Sequence, residues 1–132
     1  MMQDQSNHQL SNQALEQDIE AKVHAKFPLL SECVRQLVEK LHPLQVILFG
    51  SYAKGQERPD SDLDFLLVLD QGFSPNSTRM QSIRQARQIL KPIHCPKDVL
   101  VFDDTEVSQW KENLNHIIGQ AFYEGWTLYE RP

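Results

Sequence analysis

Phe49-Gly50-Ser51-Tyr52-Ala53-Lys54-Gly55, followed a few positions on by Asp60-Ser61-Asp62-Leu63-Asp64-Phe65, is the stretch on which the reading of this chain turns. Leu44 to Phe49 is apolar, partly β-branched and stops at a glycine, which predicts a buried strand. Asp62 to Leu69 predicts a second one by its apolar density. Side chains of a strand alternate faces, so Asp62 and Asp64 point one way while Leu63, Phe65, Leu67 and Leu69 point the other. Burial of that apolar face fixes the register and holds the two acids rigidly. Two neighbouring carboxylates repel, and one takes up a proton unless a cation neutralises the pair. A hard divalent cation such as Mg²⁺ takes oxygen ligands and leaves positions open for phosphate oxygens.

Gly50 and Ser51 close the first strand and open a short helix, where free backbone amides favour an anion. Gly50 lets the backbone approach a phosphate without a Cβ in the way, and Ser51 adds a hydroxyl donor. Lys54, one turn on, is a candidate phosphate contact, with a solvated helix charge as the rival reading. A phosphate cradle and a metal site on adjacent strand ends fit a nucleoside triphosphate with its metal.

Outward from this stretch, helices and strands alternate. Leu15, Ile19, Val23 and Phe27 recur every fourth position from Asn12, an amphipathic helix that Pro28 should break. Leu30, Cys33, Val34, Leu37, Val38 and Leu41 make a second helical face, ended by His42-Pro43. After the turn cluster Gln71 to Asn76, Ser77 is positioned to cap a helix that turns Met80, Ile83, Ala86 and Leu90 inward. Asp98 to Phe102 predicts a third strand. One helix is expected from about Thr105 to Tyr123, with Val107, Trp110, Leu114, Ile117, Ile118 and Ala121 on one face. Gly125 ends it, and Trp126 to Tyr129 reads as a short extended tail. Residues 1–10 read as a disordered leader and residues 11–132 as one domain. The expected fold class is α+β, a small mixed β-sheet flanked by helices.

Composition narrows the function classes. The chain has 132 residues, 13 Lys and Arg against 18 Asp and Glu, and a net charge of -5. That balance speaks against general nucleic-acid coating, although Arg79, Arg84, Arg87, Lys91 and Lys97 form a run without acids. Arg84, Arg87 and Lys91 share one helical face, a candidate contact for an acidic partner or else a solvated surface. The longest apolar run, Phe65 to Leu69, is far short of the roughly 20 residues that span a bilayer. Met1 to Gln5 has no signal-peptide character, and Cys33 and Cys95 lack metal or disulfide spacing, so reduced thiols and a cytoplasmic location are expected. The five histidines show no ligand spacing for zinc.

Gly50-Ser51, ten residues, then Asp62-x-Asp64 resembles the signature of the DNA polymerase beta-like nucleotidyltransferase superfamily. The fuller Gly50-Ser51-Tyr52-Ala53-Lys54-Gly55 with Ser61-Asp62-Leu63-Asp64, and the closing Glu124-Gly125-Trp126-Thr127-Leu128-Tyr129-Glu130, are similar to its minimal nucleotidyltransferases. The resemblance implies that family's fold, and a third carboxylate on a later strand. Asp98 is the matching position, with Asp103 and Asp104 as rivals at the strand's far end. It further implies that Asp62 and Asp64 bind two Mg²⁺, while Asp98 binds one and helps deprotonate the attacking hydroxyl. Gly50, Ser51 and Lys54 would hold the phosphates of ATP. So short a chain leaves little for an acceptor-binding domain, and a protein partner is expected. Minimal nucleotidyltransferases are often paired with a helical HEPN RNase toxin, which implies an antitoxin that transfers AMP to a partner tyrosine. The alternatives are an antitoxin that works by docking alone, and a transferase acting on a small molecule or nucleic acid.

Overall fold

The computed structural model describes the backbone of residues 2–70 and 72–132, and the side chains of residues 14–70 and 72–132. The leader read over residues 1–10 lies outside the described side chains. Helix α1 (Met2–Lys26) ends just ahead of Pro28 and α2 (Leu30–Leu41) begins just after it. His42 ends α2 in a left-handed conformation (φ 49°), and its N–H bonds back to the Val38 carbonyl. Then come β1 (Gln45–Phe49), the one-turn α3 (Ser51–Lys54), β2 (Leu63–Leu69), α4 (Arg79–Leu90) and β3 (Lys97–Asp103). The chain closes with α5 (Asp104–Trp110), α6 (Ile117–Glu124) and β4 (Trp126–Glu130). No described helix is long and apolar enough to cross a membrane.

The four strands form one mixed sheet in the order β3-β2-β1-β4. β1 runs antiparallel to both β2 and β4, whereas β2 and β3 are parallel. A parallel pair needs a long crossover, and α4 supplies it. Mixed sheet and flanking helices together are the α+β fold expected from the sequence.

Both faces of the sheet are buried, which corrects the one-sided reading of β2. Leu63, Phe65 and Leu67 pack with Leu30, Leu37, Ala86 and Leu90 under α2 and α4. Leu66 and Val68 pack on the other face with Ile47, Phe49, Val107, Ile118 and Ala121 under α5 and α6. A strand buried on both sides is apolar nearly throughout rather than alternating. Asp64, half-buried, shares the second face at the start of β2.

Three further details depart from expectation. The long C-terminal helix is two helices, because Asn113 Oδ1 accepts from the Asn115 N–H and His116 Nδ1 accepts from the Ile118 N–H. Side chains that bond the local backbone in this way compete with a continuing helix. Leu114 and Ile117, expected inward, are exposed, while Trp110 stacks on His116. The cap of α4 is Thr78 rather than Ser77, in a reciprocal box with Gln81, so Met80 faces solvent and Ser82 is buried. Thr78→Ala is expected to cost about 1 kcal/mol of stability in urea titration. An unchanged midpoint would count against the box. The C-terminal tail is a true strand, and Trp126 Nε1 donates to the Ala53 carbonyl at 3.0 Å, tying β4 to α3.

Candidate active site

Gly50 makes the turn from β1 into α3 with φ 81° and ψ -157°, a conformation open essentially to glycine alone. α3 is then clamped from outside: Lys26 Nζ donates to Tyr52 Oη at 2.9 Å, and Phe27 meets the Tyr52 ring edge-on. Across the sheet from this turn, Phe49 pairs with Asp64 and Asp64 pairs with Asp98. Asp62 lies one residue ahead of β2 rather than within it, half-buried like Asp64, whereas Asp98 is exposed. The pairings thus bring Asp64 beside Asp98 and both beside the Gly50 turn. A Cβ at Gly50 would overlap the Asp64 carboxylate, so the glycine also makes room for that acid.

Electrostatics single out Asp64. Burial pushes its pKa up to about 6, helped by the neighbouring charges of Asp98 and Asp62, by hydrogen bonding to Asp98 and by the charge of Glu124. The rivals for the third carboxylate are remote. Asp103 pairs with Leu69 at the opposite end of the strands and is used as the cap of α5, accepting from the Glu106 N–H at 2.8 Å. Asp104 begins that helix.

Glu124, the last residue of α6, was not singled out for the site from the sequence. Its Oε1 accepts from the Gly50 N–H at 3.3 Å and its Oε2 stands 3.4 Å from Lys54 Nζ. Gly50 and Glu124 are 74 positions apart, so no local spacing reveals the contact. The only sequence signal was its place in the closing Glu124-Gly125-Trp126 string. Lys54 is therefore an ion-pair partner at the site rather than a free helix charge.

Among the described residues, no three His, Cys, Asp or Glu side chains are gathered as a ready-made metal cage. The donors nevertheless suit a hard divalent cation: they are carboxylate oxygens, and the like charge that raises Asp64 is what such a cation relieves. Two members of the basic run are committed elsewhere. Arg79 forms a two-pronged ion pair with Glu106 and lies over the rings of Phe73 and Phe102, and Lys97 donates to the Ile93 and Cys95 carbonyls. Arg84, Arg87 and Lys91 remain exposed. Cys33 and Cys95 are free thiols. A cleft of about 390 Å³ opens at the other end of β2, lined by Leu69, Asp70, Phe73 and Ser82. Its lining includes none of Asp62, Asp64 and Asp98.

The chain resembles a solved nucleotidyltransferase structure from Sulfolobus solfataricus, at 22% identity over 86% of each chain and a TM-score of 0.54. This likeness speaks to the fold. It also resembles a toxin-antitoxin structure with AMP-PNP, at 17% identity over 76% of this chain and 73% of that one, TM-score 0.49. A complex of tri-AMPylated Shewanella oneidensis HEPN toxin with an MNT antitoxin matches at 16% identity over 88% of this chain and 73% of that one, TM-score 0.40. No curated protein matches significantly. The model of the nucleotidyltransferase domain family matches residues 29–118, from the start of α2 into α6 and through all three aspartates. The chain belongs to the nucleotidyltransferase domain family.

Proposed function

We propose that the chain is a Mg²⁺-dependent nucleotidyltransferase that moves AMP from ATP to a hydroxyl, that of a tyrosine on a helical HEPN-type RNase toxin, and so acts as its antitoxin. The observation that carries the transferase reading is the pairing of Asp64 with Asp98 beside the Gly50 turn. The choice of ATP and of the acceptor rests on the likeness of Gly50 to Asp64 and Glu124 to Glu130 to the minimal nucleotidyltransferases.

Asp62, Asp64 and Asp98 would hold two Mg²⁺, which supply charge neutralisation for the triphosphate and a lowered pKa for the acceptor hydroxyl. Gly50, Ser51 and Lys54 bind the outer phosphates. The acceptor oxygen forms its bond to the α-phosphorus as the bond to the leaving pyrophosphate breaks, in line with it. Asp98 is the most exposed of the three acids, hence the one open to an arriving protein, and it takes the acceptor's proton.

The test is to incubate the protein with Mg²⁺, each nucleoside triphosphate in turn and its co-purifying partner, then weigh the partner by mass spectrometry. A gain of one or more nucleoside monophosphates, lost with Asp62→Ala, is expected. No adduct, with the partner still suppressed by Asp62→Ala, replaces this reading with docking alone. Transfer to an aminoglycoside or an RNA end moves the acceptor outside the protein class.

A further inference from the structure

Glu124 closes α6 at the rim of the carboxylate site and spends its two oxygens on two groups that the proposed function gives to phosphate. One oxygen accepts from the Gly50 N–H and the other pairs with the Lys54 ammonium, at 3.3 and 3.4 Å. The Glu124 side chain is 22% exposed and that of Lys54 42%, so the contact is partly shielded yet open to an incoming ligand. A carboxylate and a phosphate recruit N–H and ammonium donors by the same charge-assisted hydrogen bonding. Both anions cannot fill the same two donors together. Glu124 also adds a negative charge to a site that already holds three aspartates, and that charge is felt at Asp64.

Building on the nucleotide reading above, we infer that Glu124 is an affinity-determining residue: it occupies the Gly50 N–H and Lys54 in the nucleotide-free protein, and a triphosphate binds by displacing it from both. The contact raises the nucleotide concentration at which the site fills. It also keeps Lys54 beside the site, so that the lysine, once released from Glu124, meets the phosphates without a search. Because the ion pair is half-exposed, its effect is modest. Its removal is expected to tighten triphosphate binding by about 3- to 10-fold.

The experiment is calorimetric titration of the full chain with AMP-PNP and Mg²⁺, on wild type, Glu124→Gln, Glu124→Asp, Lys54→Met and the double variant Lys54→Met/Glu124→Gln. Thermal melts confirm that each folds. Glu124→Gln should bind more tightly than wild type. Glu124→Asp keeps the charge but draws its oxygens back by one methylene, and should fall between the two. In the Lys54→Met background the gain from Glu124→Gln should shrink to less than half, because the donor that Glu124 withholds is gone. Unchanged or weaker binding by both Glu124 variants overturns the inference and makes Glu124 a support for Lys54. An equal gain with and without Lys54 overturns it too, in favour of plain charge repulsion. No binding by wild type or any variant removes the nucleotide reading itself, and this inference with it. Binding that is present but indifferent to Glu124 removes the inference alone.

Discussion

Asp64→Asn is expected to abolish transfer and, at the same time, to make the metal-free protein more stable at pH 8. The two effects share one cause. Asp64 is pushed up to about 6 by burial and by Asp98 and Asp62, well above the usual carboxylate range. A carboxyl whose pKa is raised on folding binds its proton more tightly in the native state. Its contribution is therefore fully present below an unfolded pKa of about 4 and is lost as pH rises through the folded value. Above about pH 6 the native state carries an ionised, crowded carboxylate. Allowing for the solvent that still reaches it, the penalty is about 1–2 kcal/mol. Asparagine removes that charge with little change of shape, and a rise in Tm of about 3–8 °C follows at pH 8. At pH 4 the two proteins should melt together. Transfer should fall by about 10³-fold or more, since the cation that assists the reaction loses a ligand. Mg²⁺ should raise the Tm of wild type at pH 8, less so below pH 6 where protons compete, and hardly at all in Asp64→Asn. A variant that melts lower than wild type at pH 8 would refute the electrostatic account, and one that still transfers would refute the proposed role.

The parts of the fold that were legible are those fixed by short-range chemistry. Gly50 after an apolar strand, and Asp62-x-Asp64 leading into another, marked the turn, β1 and β2 from short apolar runs and their flanking residues. Pro28 and His42-Pro43 marked the ends of α1 and α2 because missing donors and a left-handed residue stop a helix wherever they fall. What escaped depends on the other side of the molecule. Leu66 and Val68 share a face with Asp64, and nothing in their own stretch says that Ile118 and Ala121 will cover them. The break after Trp110 turns on side-chain bonds of Asn113 and His116 that an apolar period does not register. Ser77 and Thr78 are both good caps, and only the reach of Gln81 to the Thr78 N–H selects between them. Glu124 is the largest omission at the site, since its partners Gly50 and Lys54 come from the opposite half of the chain. Asp98 was reached by resemblance, and its register with Asp64 supplies the physical reason for the choice over Asp103.

Gly50→Ala is expected to disable the site as completely as loss of Asp64, and by the same route. The sequence gives this glycine one role, close approach to a phosphate. The structure adds two more. At φ 81° and ψ -157° an alanine is strained by about 1–3 kcal/mol, which urea titration should register as lost stability. Its Cβ would also overlap the end of the Asp64 side chain. The backbone of the turn is held by β1, by the Lys26–Tyr52 bond and by Trp126, whereas the Asp64 carboxyl is the end of a side chain with two rotatable bonds. The carboxyl therefore yields, swings away from Asp98 and leaves the position from which it would bind a cation. Activity should fall to the level of Asp64→Ala, and the double variant Gly50→Ala/Asp64→Ala should be no worse than either single one, because both remove the same group. Stability should separate them: the backbone strain persists in the double variant, while the overlap does not. Gly50→Ala that keeps transfer within tenfold of wild type would show that the carboxylate does not need the space, and losses that multiply in the double variant would assign Gly50 and Asp64 to independent tasks. If instead the losses coincide, a single missing Cβ serves both ligands of the site, leaving the phosphates their path to the backbone and the metal-binding acid its place beside Asp98.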